Sequence, residues 1–329
     1  MIYPWFEAPS IQWQQQLSNL SHAYLLSGVE GIGMTEFAKQ MAKGILCKSE
    51  GISACQNCTS CNLFSKNTHP DLFNLSVQED KKEISIDQVR DLNKKVFETS
   101  HQGGFKVALI EQAEKLNISS FNALLKTLEE PPQKTVIILT THEKNRLPAT
   151  ILSRCRKIDF VTPTLADGMN WLHQQLPQAD EPLLKKSLRI NWSAPLKAKE
   201  WIETNQFEQE AEWQADLKSL RNNRISIAQM VAKWLKYETP SVVFDYFYLW
   251  SVSAVRASQY QQKVAFNPNW LVFQKMVLQA RQIWHQNANK ELLLEATCLA
   301  WQQHQQPNFD PNDKLFTLFN GTLIRGTQI

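Results

Sequence analysis

The run Gly28-Val29-Glu30-Gly31-Ile32-Gly33-Met34-Thr35 decides how the chain is read. Its glycines fall at the spacing of a phosphate-binding P-loop, G-x-x-x-x-G-K-[ST]. One position departs from that pattern: Met34 stands where the motif has lysine. An apolar run, Ala23-Tyr24-Leu25-Leu26, precedes the loop, and Phe37, Met41 and Ile45 follow it at helical spacing. Strand, loop and helix in that order are what the motif requires. A plain glycine-rich turn is the alternative, and this context counts against it.

Glycines in such a loop let backbone N–H groups turn toward phosphate, at a helix start that favours negative charge. The missing lysine would reach the outer phosphates. Methionine matches its length but brings neither charge nor donor. Loss of one charge-assisted contact costs about 1.5–3 kcal/mol. Thr35, the residue that would meet Mg²⁺, is retained. Gly28, Gly31, Gly33, Met34 and Thr35 are therefore expected to form a vestigial loop, with no ATP bound by this chain. The acidic motif agrees. A P-loop enzyme places Asp-Glu at the end of an apolar strand, near Mg²⁺ and the attacking water. Here Lys106-Val107-Ala108-Leu109-Ile110 runs into Glu111-Gln112, and Gln112 cannot act as a base.

Working outward, 329 residues allow two or three domains. Hydrophobic residues at 43% and charged residues at 20% describe an ordinary globular chain, and a net charge of +3 permits an acidic partner without demanding one. Eleven Trp are spread along the chain and read as core or domain-contact residues. No run approaches the roughly 18 apolar residues of a membrane span. Met1–Glu7 lacks the basic and apolar regions of a secretory leader. A cytoplasmic chain is expected, and its six Cys are better read as metal ligands or core than as disulfides.

The element order is that of an α/β domain with a mostly parallel sheet. A helical lead-in reaches about residue 22. The spacing predicts strands at Ala23–Leu26, Leu72–Val77, Lys106–Ile110, Thr135–Thr140 and Lys157–Val161. It predicts helices at Thr35–Leu46, at Ile86–Glu98, and from Ser119 or Ser120, the predicted caps, to Pro131-Pro132. The alternation stops at Thr162-Pro163-Thr164. The expected domains are 1–162, a small helical domain 163–205 and an all-α domain 206–329. Within the last, Val242–Val255 is dense in aromatics but has no basic residue before Arg256. It reads as a buried helix rather than a base-stacking platform. The Gln-rich patches Gln14–Gln16 and Gln302–Gln306 are too short to be low-complexity.

Two further clusters carry chemistry. Cys47, Cys55, Cys58 and Cys61 put four thiols within 15 residues. Four thiolates suit a closed, structural, tetrahedral zinc site. An iron–sulfur cluster or unligated thiols are the alternatives, and His69 is a possible substitute ligand. Cys155 and Cys298 stand apart, the latter as a core residue. Ser153-Arg154-Cys155 precedes the last strand. Arg154 can pair within its own chain, or reach a neighbour's nucleotide as an arginine finger.

Together these segments resemble the delta-prime family of the bacterial DNA polymerase III clamp loader. The resemblance rests on His22–Gly28, the four-Cys module, His69-Pro70-Asp71-Leu72, Asn122–Pro132 and Ile151–Arg156. Asn122-Ala123-Leu124-Leu125-Lys126 and Ser153-Arg154-Cys155 are its most specific parts. The last 120 or so residues resemble the family in length and helical character only. Gamma/tau subunits share the zinc module and Ser-Arg-Cys but carry the loop lysine and an Asp-Glu pair. Delta subunits lack both the cysteines and Ser-Arg-Cys.

The resemblance implies an AAA+ α/β domain, a helical lid and a helical collar that builds a five-subunit arc. It implies gamma/tau and delta partners, action on the sliding clamp and primed DNA, and no membrane. It implies no intrinsic activity in this subunit of the polymerase holoenzyme, with Arg154 acting in trans as an arginine finger at a gamma/tau ATP site. Thr140-Thr141 fall where a sensor residue would stand. Asn191–Leu196, where a second sensor arginine would fall, contains none. The competing readings are an active ATPase of gamma/tau type with a divergent loop, and a zinc-dependent nucleic-acid-binding protein. The mild net charge and the lack of basic residues among Cys55–Cys61 count against the second.

Overall fold

The computed structural model describes residues 3–17, 19–49, 54–78, 81–237, 239–260, 267–284, 288–304, 306, 309–310 and 319. Residues 50–53 of the cysteine-rich insert, Gln305 and residues 320–329 of the expected all-α domain lie outside them. The chain divides into two compact units, Met1–Glu200 and Trp201–Ile329.

The first unit is built on a five-stranded sheet. Its strands are β1 (Ala23–Ser27), β2 (Leu72–Leu75), β3 (Lys106–Ile110), β4 (Thr135–Thr141) and β5 (Arg156–Asp159), in the order β2-β3-β4-β1-β5. Every pairing is parallel. Strands buried on both faces read as continuous apolar runs, and all residues of β1, β3 and β4 are buried. Alternation along each strand sorts them into two cores. Tyr24, Leu26, Val107, Leu109 and Ile138 face one side, with Phe37, Met41 and Ile45 of α2 (Met34–Leu46) and Trp13 of α1 (Glu7–Gln16). Leu25, Ala108, Ile110, Ile137 and Leu139 face the other. There they meet Val89, Leu92 and Val96 of α4 (Ile86–Phe97) and Phe121, Leu124 and Leu128 of α5 (Ile118–Glu129). Between them in the chain lies α3 (Thr59–Ser65).

Several boundaries differ from expectation, among them the end of the lead-in helix α1 at Gln16 rather than about residue 22. The cap of α5 is Asn117, whose side chain accepts from the Ser120 N–H at 2.9 Å. Ser120 instead turns its hydroxyl to the Ile84 carbonyl at 2.8 Å. Strand β2 stops at Leu75, short of Val77, where the Leu75 carbonyl accepts from Glu111 N in the last rung of its pairing with β3. Strand β5 spans Arg156–Asp159 rather than Lys157–Val161, and Val161 is 81% exposed.

Helices α6 (Ala149–Leu152), α7 (Leu165–Gln175), α8 (Glu181–Ile190) and α9 (Pro195–Glu203) complete this part of the chain. The second unit contains α10 (Gln206–Arg221), α11 (Ile227–Trp234), α12 (Val242–Tyr260), α13 (Asn269–Trp284) and α14 (Lys290–Gln303). Its core is aromatic. Trp213 meets Phe247 edge-on at 4.3 Å, and Phe247 meets Phe273 at 5.4 Å. Val243, Phe244, Tyr246 and Phe247 are buried, as a core helix requires, and so is Cys298.

His69-Pro70-Asp71 enters β2 through a polar joint. The Asp71 carboxylate accepts from His101 N at 2.8 Å, Gln102 N at 2.9 Å and Ser100 Oγ at 2.9 Å. Burial alone would raise its pKa, but these donors outweigh burial and hold it below the ordinary 3.8. A depressed carboxylate stabilises the fold above its unfolded pKa and loses that contribution as pH falls through the folded one. Asp71→Asn is therefore expected to cost about 1–3 kcal/mol near neutral pH in urea unfolding. The gap to wild type should close below pH 3.8. A pH-independent gap contradicts this role for the charge.

Candidate functional sites

The loop between β1 and α2 turns on Gly31 at φ +80° and Gly33 at φ +95°, the left-handed region open to glycine. Its packing also demands glycine. A Cβ on Gly31 would lie 2.7 Å from Lys197 Cβ, and one on Gly33 would lie 2.1 Å from the Tyr3 ring. The loop carbonyls are held by the chain itself. Gly28 O accepts from His142 Nδ1 at 3.1 Å, Gly31 O from Leu196 N at 3.0 Å, and Ile32 O from Trp5 Nε1 at 2.9 Å. Tyr3 stacks on Trp5 with centroids 5.0 Å apart, and both rings abut Trp171 of α7.

Met34 is 2% exposed and packs in the core with Phe37. A thioether suits that apolar setting. Thr35 is half-buried on the first turn of α2. Glu111 is paired with Lys39 of α2 at 3.4 Å. Gln112 adopts φ +54°, and its N–H donates to Thr140 Oγ1 at 3.2 Å. Thr141 Oγ1 accepts from Glu143 N at 3.2 Å. Both threonines thus serve backbone groups. The Asn191–Leu196 stretch gives the loop a backbone N–H and no cation. The nearby cation is Lys197, whose Nζ pairs with Glu30 at 3.2 Å.

The four cysteines come together. Their Sγ atoms all lie within 4.8 Å of one another. Cys47 and Cys58 are 3.9 Å apart, and Cys55 and Cys61 4.0 Å. A tetrahedral ion with metal–sulfur bonds of about 2.3 Å sets its sulfurs about 3.8 Å apart. The spacing thus fits one ion, leaves no room for a multi-iron core, and exceeds the roughly 2.05 Å of a disulfide. Backbone N–H groups support the set: Cys55 N donates to Cys47 Sγ at 3.3 Å, Cys58 N to Cys55 Sγ at 3.3 Å, and Cys61 N to Cys58 Sγ at 3.4 Å.

Hydrogen bonds from Ser49 and from backbone groups bring the Cys55 thiol down to about 5, while burial pushes Cys61 up to about 12. A bound dication would hold all four as thiolates. His69 is committed elsewhere. Its Nε2 meets Ser60 Oγ at 2.9 Å and its Nδ1 accepts from Asp71 N at 3.1 Å. It therefore braces the module against β2 and is not a ligand.

Along Ser153-Arg154-Cys155 exposure falls from an exposed serine through a partly exposed arginine to a buried cysteine. Cys155 is buried in the second core, which pushes its thiol up to about 12. Arg154 stays 34% exposed. It pairs with Glu129 at 2.7 Å and donates to the Thr150 carbonyl at 2.9 Å. The pairing within the chain, one of the two readings of this arginine, is thus present.

A family described as "DNA polymerase III, delta subunit" matches residues 8–164. The DNA polymerase III subunit delta' of Pseudomonas aeruginosa is 34% identical over 322 residues, spanning 91% of this chain and 97% of that protein. The chain belongs to the delta-prime family of DNA polymerase III subunits. The delta-prime subunit of Escherichia coli is 33% identical over 196 residues, 59% of this chain and 58% of its own length. The tau subunit of Escherichia coli is 41% identical over 141 residues, 42% of this chain but 21% of that longer protein. The matched residues 8–164 all fall in the parallel-sheet unit. No helix among the described residues is long and apolar enough to cross a membrane.

Sequence reading missed Tyr3, Lys39, His142 and Lys197, none of which belongs to a spaced motif. It also missed Glu129, for which a signal existed: an acid at a helix C-terminus is electrostatically misplaced unless a cation answers it. Elemental analysis of this delta-prime chain is expected to find about one metal ion per chain. Cys58→Ser should lose the ion and lower the unfolding midpoint. A metal-free chain with an unchanged midpoint contradicts the site.

Proposed function

We propose that this chain is a non-hydrolysing member of the clamp loader, acting in the cytoplasm beside gamma/tau and delta subunits to place the sliding clamp on primed DNA. In this reading residues 163–205 form its lid and 206–329 its collar. The four cysteines hold structural zinc, and ATP is not bound at Gly28–Thr35. The observation that carries the reading is the core position of Met34, at 2% exposure, where a P-loop lysine would reach out to phosphate. The pairing of Glu111 with Lys39 and the lack of an acid at Gln112 support it.

Arg154 then acts on a neighbour. Its guanidinium is always charged and offers a planar fork to phosphate oxygens. Placed beside the triphosphate of an adjoining gamma/tau subunit, it stabilises charge on the phosphoryl group in flight. Such a contribution is worth about 10³–10⁵ in rate at the site it serves. The test is a loader reconstituted with Arg154→Ala or Arg154→Lys in this chain. DNA-stimulated turnover at the adjoining site should be lost with Ala and little restored with Lys, because an ammonium lacks the fork. Wild-type rates with Arg154→Ala would end the finger role.

A further inference from the structure

Arg154 is gripped by groups on two elements. Nη2 meets Glu129 Oε1 at 2.7 Å, and Nη1 donates to the Thr150 carbonyl on α6 at 2.9 Å. The backbone beneath is fixed as well. Arg154 N donates to Ile151 O at 3.1 Å, and the next residue, Cys155, is buried in the core. Among the described residues, Nε of Arg154 donates to none.

Glu129 is an odd residue for its place. It is the last residue of α5, which Pro131-Pro132 prevent from continuing. A carboxylate there faces the negative end of the helix dipole. Its ion pair does not repay that through stability, because the two side chains are 50% and 34% exposed and exposed pairs contribute little to folding. What the pair does fix is direction. With Nη1 and Nη2 taken by the ends of α6 and α5, the guanidinium plane is set before any partner arrives.

We infer that Glu129 is a positioning residue for Arg154, holding its guanidinium at the domain edge in the orientation that meets a neighbour's triphosphate. This rests on the finger role proposed above. Glu129 makes no contact with nucleotide in this scheme and moves no proton.

The test is a double-mutant cycle in the assembled loader, reading kcat and KM for ATP on primed DNA with Glu129→Ala, Glu129→Gln, Arg154→Ala and the double variant. Glu129→Ala is expected to lower the Arg154-dependent part of kcat by up to about 10²-fold with KM little changed, since misplacement by about an ångström can cost that much. Glu129→Gln, which keeps the shape and an acceptor, should recover part of the loss and serves if the alanine variant folds poorly. In the Arg154→Ala background, Glu129→Ala should add nothing. Full Arg154-dependent turnover in both Glu129 variants overturns the positioning role. So does a loss of equal size with and without Arg154, which marks a structural effect. An Arg154→Ala loader at the wild-type rate overturns the finger role itself, and the positioning role with it.

Discussion

The turn that joins β1 to α2 constrains everything around it. Its backbone takes left-handed conformations at Gly31 and Gly33, and the atoms that press on those two positions belong to the chain itself. Tyr3 comes from the segment before α1 and Lys197 from α9, so distant parts of the same unit converge on one loop. Three loop carbonyls are bonded to His142, Leu196 and Trp5. The glycines are therefore required by packing, whether or not a phosphate ever binds. A P-loop sequence can persist as scaffold after its lysine is gone, because changing the glycines would still collide with Tyr3 and Lys197.

The cysteine module follows a similar logic of attachment. Cys47 caps the end of α2 and Cys58 caps the start of α3. One ion shared by the four sulfurs would tie these helix ends together across an insert with little apolar core of its own. Ser60 passes the connection on, donating to the Leu46 carbonyl and meeting His69. His69 then meets Asp71, which closes the 100–102 turn. The four-cysteine module is thereby coupled to β2 at one edge of the sheet. Arg154, just before β5 in the chain, takes part in none of these networks and is braced by α5 and α6 instead.

Much of this was legible in the sequence, for physical reasons. β3 and β4 are short, continuous and apolar, so burial on both faces could be read from composition alone. The helix spacing of α2 and α4 shows in Phe37, Met41 and Ile45 and in Val89, Leu92 and Val96. The cysteine set was legible because its members are near in sequence. What stayed hidden depends on long-range contact or on choice among neighbours. Lys197 is 167 positions from Glu30, and no local pattern ties them. His69 could be read as a ligand because its distance from the sulfurs is not written in spacing. Asn117 won the cap of α5 from Ser119 and Ser120 because its carboxamide oxygen accepts from the Ser120 N–H three residues ahead while the Ser120 hydroxyl reaches Ile84.

The loop as scaffold makes a simple demand on the isolated chain. Calorimetric titration with ATP and Mg²⁺ should give no saturable heat up to about millimolar nucleotide, a limit near 4 kcal/mol of binding. The four-cysteine module would be intact and the protein folded in that experiment. One-to-one binding that is lost on Thr35→Ala, with turnover by the isolated chain, would contradict it and make this an ATPase with a divergent loop.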